Sequence, residues 1–276
     1  MGIFDGCLLA CDVDGTLMEN GYINPCNIEK IEYFMAQGGA FSISTGRSVG
    51  AISSVTDALV RISPSVVANG CMIYDYDKSK ILYQKFVPKP DNKFAKFVLD
   101  SEISVGIEIH CGNRVFTLKR NHESDAHQRY ENLETTVVAF EEICDLDWNK
   151  VLFALEDEKD YEVLKQMVSQ FPNNSSFIST AAVLEGRKRY YYEQIPVGVS
   201  KASALKELCR ILNIKDGCFY AIGDYYNDLE MLKNADISAV PNGSPDDIKA
   251  IADFISCECK DGAVAKFIDY LTQIHK

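Results

Sequence analysis

The chain has 276 residues, enough for one large domain or two modest ones. Apolar residues make up 47% and charged residues 25% of it, which excludes a disordered or fibrous chain. The net charge of -12 repels phosphate backbones and anionic lipid, so we expect no nucleic-acid partner and no membrane partner.

The first third of the chain alternates strand-like and helix-like segments. A short apolar run that begins at Cys7 ends in acidic residues and Gly15, which is typical of a strand buried on both faces of a parallel sheet. The helix that follows it is stopped by Gly38 and Gly39. The predicted elements here are strands over residues 7–11, 40–44 and 64–68 and helices over residues 27–37 and 48–60.

The middle of the chain has a different pattern, with paired strand candidates close together. Two of them are separated by Gly112 and Asn113, a hairpin signal. The predicted strands cover residues 105–111, 114–119, 150–156, 176–181 and 188–194, and the predicted helices cover residues 91–99 and 161–170. We therefore predict an α+β domain, residues 84–196, inserted into a core domain made of residues 1–83 and 197–276.

The last third returns to the alternation of the first. The predicted strands cover residues 218–222 and 237–240, and the predicted helices cover residues 200–212, 227–234, 246–252 and 261–274. Strand–helix alternation at both ends of the chain predicts an α/β core with a Rossmann-like, doubly wound parallel sheet. Two distant pieces of chain would build this sheet.

The strongest functional signal is Asp12-Val13-Asp14-Gly15-Thr16, directly after an apolar strand. Residues i and i+2 of an extended chain point to the same side, so both carboxylates enter the crevice where open α/β sheets bind ligands. Two carboxylates this close repel each other unless a cation lies between them or one holds a proton. One carboxylate can then be a metal-bound nucleophile and the other a general acid.

A second motif, Ser44-Thr45-Gly46-Arg47, follows the next apolar strand and precedes a helix. Its hydroxyls, its flexible Gly amide and the helix N-terminus together form an anion site, to which Arg47 adds a bidentate grip on phosphate. The alternative is that Ser44 or Thr45 only caps the helix.

A third signal is a lysine in the first turn of a helix. Ser200 is a natural N-cap, which places Lys201 at the helix end where the dipole disfavours a cation. Its presence there indicates an anion nearby; the alternative is an ordinary solvated lysine.

The fourth signal is a second acidic cluster, residues 223–228, after the apolar strand that ends at residue 222. Asp224 lies at the strand tip, and Asn227 and Asp228 open the next helix as caps or outer ligands. Mg²⁺ typically takes one or two carboxylates plus phosphate oxygens and waters. Asp12 and Asp224 supply that pair if their strands are neighbours.

In this order, the four motifs (DxDGT, STGR, Lys and GDxxND) resemble those of the haloacid dehalogenase-like hydrolase superfamily. Residues 198–205 and 67–70 look like its Cof-type branch of sugar-phosphate phosphatases. The resemblance implies a Rossmann-like core with an inserted α+β cap of type C2. It also implies a Mg²⁺-dependent phosphatase that hydrolyses small phosphorylated metabolites through an aspartyl-phosphate.

The same resemblance implies roles for the matching positions. Asp12 would be the nucleophile, and Asp14 would protonate the leaving alkoxide and then deprotonate the attacking water. The candidate phosphate-binding residues are Thr45, Gly46, Arg47, Lys201 and Asn227. The candidate metal-binding residues are Asp12, Asp14 through its carbonyl, Asp224 and Asp228. Ala202 and Cys11 depart from the residues usual in the family, but neither touches this chemistry.

Other functions compete with this interpretation. A phosphomutase would use the same nucleophile and cap type, and the sequence alone does not separate it from a phosphatase. A catalytically silent protein that binds phosphate ligands is disfavoured because every charged member of the site is present. A receiver domain is disfavoured because its acceptor Asp lies on a middle strand and its acidic pair comes first.

Substrate selection is expected to lie in the inserted domain. Three basic residues near its end, Arg187, Lys188 and Arg189, are candidates for reaching a polar substrate. The alternative for each is a solvated strand end.

Cysteine usage and the N-terminal residues predict the compartment. The N-terminal segment carries Asp5 and no basic residues, and Asp12 and Asp14 interrupt its apolar stretch, so no signal peptide is expected. No run approaches the roughly 18 apolar residues of a membrane span. The ten cysteines lack framework spacing, which is typical of a reducing compartment. We expect a cytoplasmic protein that is a monomer or a weak homodimer.

Overall fold

The structure, a computed structural model, describes residues 2–59, 61–171, 175–184 and 187–275. The chain divides into two compact units. The first unit comprises Met1–Gly46, Ser53–Tyr83 and Ser200–Lys276, and the second comprises Arg47–Ile52 and Gln84–Val199. Among the described residues, each helix is too short or too polar to span a bilayer.

Strands and helices alternate along both units. The strands are β1 (Leu8–Cys11), β2 (Met18–Glu19), β3 (Tyr22–Ile23), β4 (Ala40–Ile43), β5 (Ser65–Val67), β6 (Met72–Asp75), β7 (Lys80–Gln84), β8 (Val105–Cys111), β9 (Arg114–Lys119), β10 (Thr135–Val137), β11 (Lys150–Leu155), β12 (Ser175–Leu184), β13 (Arg187–Pro196), β14 (Phe219–Ile222), β15 (Ile237–Val240) and β16 (Phe254–Ile255). The helices are α1 (Pro25–Ala36), α2 (Ser53–Ala58), α3 (Asn92–Leu99), α4 (His122–Glu131), α5 (Phe140–Ile143), α6 (Glu158–Gln170), α7 (Lys201–Leu212), α8 (Leu229–Asn234), α9 (Asp246–Lys249) and α10 (Ala263–Ile274).

The first unit is built on a five-stranded parallel sheet in the order β16-β15-β14-β1-β4. All residues of β1, an interior strand of this sheet, are buried, as expected for a wholly apolar run. Leu8 and Ala10 pack with Leu205 of α7 and Met231 of α8, while α1 and α10 pack against each other. The strands come from the first and last thirds of the chain, so the predicted doubly wound α/β core is confirmed.

Several helices of the first unit are shorter than predicted; the one expected over residues 246–252, for example, ends at Lys249. The helix expected over residues 48–60 begins at Ser53, after a 3₁₀ turn at Gly50–Ile52, and residue 60 lies outside the described residues. The last helix begins at Ala263 because Gly262 has a φ of 94°, which is outside the helical range. The differences at Ser53 and Ala263 lie at helix boundaries, where sequence patterns are least informative.

The second unit contains both helices and strands, and it comprises residues 84–199 together with Arg47–Ile52, which the sequence analysis assigned to the core. Its six-stranded sheet has the order β10-β9-β8-β11-β13-β12 and is antiparallel except for the β10–β9 pair. Strands β8 and β9 form the hairpin expected around Gly112. One face of the sheet is apolar and packs against α3 and α6 through Phe94 and Leu164.

Helix α4 covers a set of buried charged side chains in the same unit. Glu108 of β8 is fully buried and lies against α4, where it accepts a hydrogen bond from Gln128 Nε2 at 2.9 Å. The other carboxylate oxygen of Glu108 lies 3.0 Å from His127 Nδ1. Nε2 of the same histidine lies 3.4 Å from Glu131 Oε1. These ion pairs replace apolar packing between helix and sheet.

The three basic residues considered for substrate contact have different surroundings. Arg187 is exposed, whereas Arg189 is only 1% exposed and forms an ion pair with Glu123 of α4. The side chain of Lys188 lies outside the described residues. Arg189 therefore has a structural partner within the second unit.

Candidate active site

Three of the four sequence motifs follow neighbouring strands of the parallel sheet. In the sheet register, Cys11 of β1 pairs with Ile222 of β14 on one side and Ile43 of β4 on the other. The next residues along these strands are Asp12, Gly223 and Ser44. Because carboxyl ends of parallel strands meet at one edge, the sheet brings these motifs together there. The condition that the strands before Asp12 and Asp224 are neighbours is met.

Asp12 is a buried carboxylate fixed at both backbone and side chain. Its N–H donates to Ile222 O at 2.9 Å, which continues the β1–β14 ladder. Its side chain accepts from Lys201 Nζ at 2.5 Å, and the residue is 5% exposed. Burial raises the pKa of Asp12 well above its usual range, and the nearby Asp228 carboxylate raises it further, whereas Lys201 lowers it.

Lys201 connects two of the acidic groups. It is 2% exposed, and Nζ lies 2.5 Å from Asp12 Oδ1 and 2.6 Å from Asp228 Oδ1. Burial alone would lower the pKa of Lys201, but the two carboxylates raise it above its usual value. The anion that the sequence position indicated is therefore present as carboxylates of the protein itself.

Asp228 also shapes the loop after β14. Its Oδ2 accepts from the backbone amides of Asp224 at 3.1 Å and Tyr225 at 3.3 Å. The Asp224 side chain in turn accepts from Thr16 Oγ1 at 3.3 Å. Burial first, and Asp228 second, raise the pKa of Asp224 to about 7. The Thr16 hydroxyl, to which the sequence pattern assigned no role, thus orients the Asp224 carboxylate.

The acidic cluster fits a divalent cation. One carboxylate oxygen from each of Asp12, Asp224 and Asp228 lies within 4.8 Å of the other two. Oxygen donors are the ligands that Mg²⁺ prefers. Three carboxylates against Lys201 alone leave a deficit of two positive charges, and the repulsion among them adds to burial, the larger cause, in raising the pKa values of Asp12 and Asp224.

Asp14 and Gly15 continue from the end of β1 beside this cluster. The Asp14 side chain is half-buried, and its charge contributes to the raised pKa of Asp224. Gly15 has a φ of 79°, and a Cβ there would collide with the Asp224 carboxylate. A glycine is therefore required where the chain turns away from Asp14.

Thr45 and Gly46 form a tightly held loop after β4. Thr45 is 1% exposed, and its N–H donates to Val66 O at 3.0 Å. Its carbonyl accepts from Asn69 N at 3.0 Å. A Cβ on Gly46 would lie 3.0 Å from both carboxamide atoms of Asn69. Asn69 thus belongs to this loop's surroundings, although the sequence motifs assigned it no role.

Two predicted phosphate-binding residues lie in different surroundings. Arg47 belongs to the second unit, where its guanidinium donates to Ala51 O at 3.2 Å and lies 4.9 Å from the centre of the Tyr130 ring. Asn227 lies in the 3₁₀ turn at Tyr226–Asp228, where its side chain is exposed to solvent.

The sequence profile of the haloacid dehalogenase-like hydrolase family matches residues 9–268. This match confirms the resemblance drawn from the motifs. Phosphatase YwpJ of Bacillus subtilis is 25% identical over 284 residues, which cover 96% of this chain and 99% of YwpJ. The 5-amino-6-(5-phospho-D-ribitylamino)uracil phosphatase YcsE of Bacillus subtilis is 23% identical over 266 residues, which cover 95% of this chain and 94% of YcsE.

A solved structure has the same fold. The subclass IIB sugar phosphatase BT4131 superposes with a TM-score of 0.81 at 19% identity, over 96% of this chain and 99% of its own. The likeness extends over both units, because it covers nearly the whole chain. At this identity it concerns the fold alone.

Proposed function

Because this chain belongs to the haloacid dehalogenase-like hydrolase family and is a phosphatase, we propose that it uses Mg²⁺ and an aspartyl-phosphate intermediate. Its substrates would be small phosphorylated metabolites, sugar phosphates or related phosphate monoesters. The observation that carries the proposal is the buried Asp12 carboxylate, 2.5 Å from Lys201 Nζ. Lys201 opposes the effect of burial on the Asp12 pKa, so it favours the ionised form that a nucleophile requires.

The first proposed step transfers the phosphoryl group to the protein. An oxygen of Asp12 forms a bond to phosphorus while the bond between phosphorus and the ester oxygen breaks. Asp14 gives its proton to the leaving alkoxide. The Thr45 hydroxyl, the Gly46 N–H and Lys201 Nζ hold the phosphoryl oxygens.

The second proposed step releases phosphate. The Asp14 carboxylate takes a proton from a water molecule, whose oxygen attacks phosphorus. The bond between phosphorus and Asp12 then breaks, which restores the Asp12 carboxylate. Asp14 holds a proton again, so both residues return to their starting state.

Four residues would hold the cation: Asp12, Asp224 and Asp228 through carboxylates, and Asp14 through its carbonyl. When bound, Mg²⁺ supplies positive charge against the phosphoryl oxygens. The charge deficit of the cluster supports a divalent ion. Asp228 also holds the Asp224 amide, so it keeps the loop in place with or without direct ligation.

We propose a division of labour between the two parts of the chain. Residues 1–83 and 197–276 would carry the phosphoryl chemistry, and residues 84–196 would act as a cap that selects the leaving group. Two similar proteins support this substrate class. YcsE is named a 5-amino-6-(5-phospho-D-ribitylamino)uracil phosphatase, and BT4131 is named a sugar phosphatase.

A panel of phosphorylated metabolites, assayed for released inorganic phosphate with Mg²⁺ or with a chelator, tests this function. We expect the wild-type protein to release phosphate from sugar phosphates with Mg²⁺ only. Asp12→Asn should lower kcat by more than about 100-fold, a loss of about 2.7 kcal/mol. Activity of Asp12→Asn above that level, or full activity in chelator, would contradict the proposal. Isomerised sugar phosphate without free phosphate would indicate a mutase.

A further inference from the structure

A turn outside the four motifs contacts both parts of the proposed phosphoryl-binding site. The 68–70 turn (Ala68–Gly70) follows β5 and is buried. Ala68 has a φ of 51° and Asn69 has a φ of 54°. Two consecutive non-glycine residues thus adopt the left-handed conformation, which is uncommon. Such conformations persist where the surrounding structure holds them, and they cluster at functional sites.

The backbone of Asn69 fixes the direction of one proposed phosphoryl donor. Its N–H donates to Thr45 O at 3.0 Å. The Thr45 carbonyl and the Gly46 N–H belong to one planar, trans peptide unit, in which they point in opposite directions. A hydrogen bond to the carbonyl therefore also orients the Gly46 N–H.

The Asn69 side chain also lies close to Gly46. Its carboxamide lies where a Cβ on Gly46 would come within 3.0 Å of Nδ2 and of Oδ1. A larger residue at position 46 would have to displace the carboxamide. The close approach of the Asn69 carboxamide therefore explains the glycine at position 46, without any appeal to the backbone flexibility of glycine.

The end of the 68–70 turn contacts the helix that carries Lys201. Gly70 has a φ of 97°, and a Cβ there would collide with the carbonyl oxygen of Ser200. Ser200 is the N-cap of α7, and its hydroxyl oxygen accepts from Ser203 N at 3.2 Å. The next residue is Lys201. One short turn thus touches the Gly46 loop and the start of α7.

We propose that the 68–70 turn, with Asn69 at its centre, is a positioning element. It fixes the Gly46 N–H and Lys201 relative to each other and thereby sets the affinity for a phosphoryl group; this inference rests on the proposed function. Asn69 is a positioning residue, because it acts through Gly46. Asparagine suits the position, since it tolerates the left-handed conformation and places no negative charge beside a phosphate.

The first test measures the dissociation constant of inorganic phosphate by calorimetry, with Mg²⁺ present. Asn69→Gly removes the carboxamide, and Asn69→Asp replaces it by a carboxylate of similar size; both residues tolerate a positive φ. Asn213→Gly and Asn213→Asp are matched controls, because Asn213 has a φ of 53° at the exposed end of α7. All variants are measured well below their unfolding temperatures. If Asn69 had only a structural role, the dissociation constant of phosphate would therefore stay unchanged.

We expect the phosphate dissociation constant to rise about tenfold in Asn69→Gly and further in Asn69→Asp, a loss of about 1.4 kcal/mol or more. The Asn213 variants should bind phosphate like the wild type. A rise smaller than about threefold in both Asn69 variants would overturn the inference. A wild-type protein that neither binds phosphate nor hydrolyses a phosphate ester would overturn the proposed function instead.

A second test examines the packing without reference to activity. Gly46→Ala should lower the unfolding temperature because the new Cβ meets the Asn69 carboxamide. Adding Asn69→Gly removes that obstacle, so the double variant should be less destabilised than the sum of the single variants. Strictly additive losses would overturn the contact on which the inference depends.

Discussion

Lys201 is the residue that balances the charges of the acidic cluster. Its ammonium group lies between Asp12 and Asp228 at hydrogen-bonding distance from both, and all three are nearly inaccessible to solvent. A buried ion pair adds little net stability, but the removal of one partner leaves an uncompensated charge. The cost of that charge depends on whether the remaining carboxylates can take up protons.

Lys201→Met tests this balance through stability in the presence of a chelator. We expect the free energy of unfolding at pH 8 to fall by about 3 kcal/mol. The loss should be smaller at pH 5, because burial already raises the pKa of Asp12 and a protonated carboxyl needs no partner. Lys206→Met, an exposed lysine of the same helix, is the control and should change little. Equal losses at both pH values would contradict the charge balance.

At the scale of elements, the strand ends were predictable because their signals are local. Apolar runs ending in acids, glycines or hydroxyl residues predicted β1, β4 and β14 to within a residue or two. Parallel pairing then followed from strand–helix alternation. The surroundings of Arg47 were not predictable, because its contacts with Ala51 and the Tyr130 ring arise only from tertiary packing. The same holds for the buried ion pairs under α4.

Helix α4 makes the stability of the second unit depend on pH. Burial lowers the pKa of His127, but Glu108 and Glu131 raise it overall to about 10. Because the pKa of His127 in the folded state is above the usual 6.5, protonated His127 stabilises the fold fully below about pH 6.5. This stabilisation is lost as the pH rises towards 10. Glu131 has a pKa lowered to about 2, so it stays charged throughout this range.

His127→Gln should therefore remove a stabilising effect that is present at pH 6.5 and absent near pH 10. We expect urea unfolding to show a large difference from the wild type at the lower pH and a small one at the higher pH. Trp148, the single tryptophan, is buried in the second unit and reports its unfolding by fluorescence. His122→Gln, at a side chain that is 58% exposed, is the control. A difference that did not depend on pH would contradict the assignment.

At the scale of the whole molecule, the site is formed by chain segments that are far apart in sequence. Asp12 and Lys201 are 189 positions apart, yet they form a direct ion pair. No local sequence pattern predicts this contact. It depends on the tertiary fold, in which the sheet order places β1 between β4 and β14. The acidic cluster therefore exists only when the first unit is folded.

This dependence predicts that Mg²⁺ stabilises the folded protein. An ion that binds the folded state alone adds about 2.7 kcal/mol at a concentration 100 times its dissociation constant. We expect Mg²⁺ to raise the temperature of an unfolding transition in scanning calorimetry. In Asp224→Asn this increase in temperature should be smaller. Asp57→Asn, an exposed carboxylate outside the cluster, should respond like the wild type. A transition unaffected by Mg²⁺ would contradict the metal assignment.

The identity of the group that accepts the phosphoryl is tested most directly by trapping it. Asp14→Asn cannot activate water, but an ester with a good leaving group, such as 4-nitrophenyl phosphate, needs no acid in the first step. We predict that this variant, quenched in acid during turnover with Mg²⁺, carries one phosphoryl group on Asp12 by peptide mass spectrometry. The double variant with Asp12→Asn should carry none. A phosphoryl group on any other residue, or turnover with none on Asp12, would contradict the account.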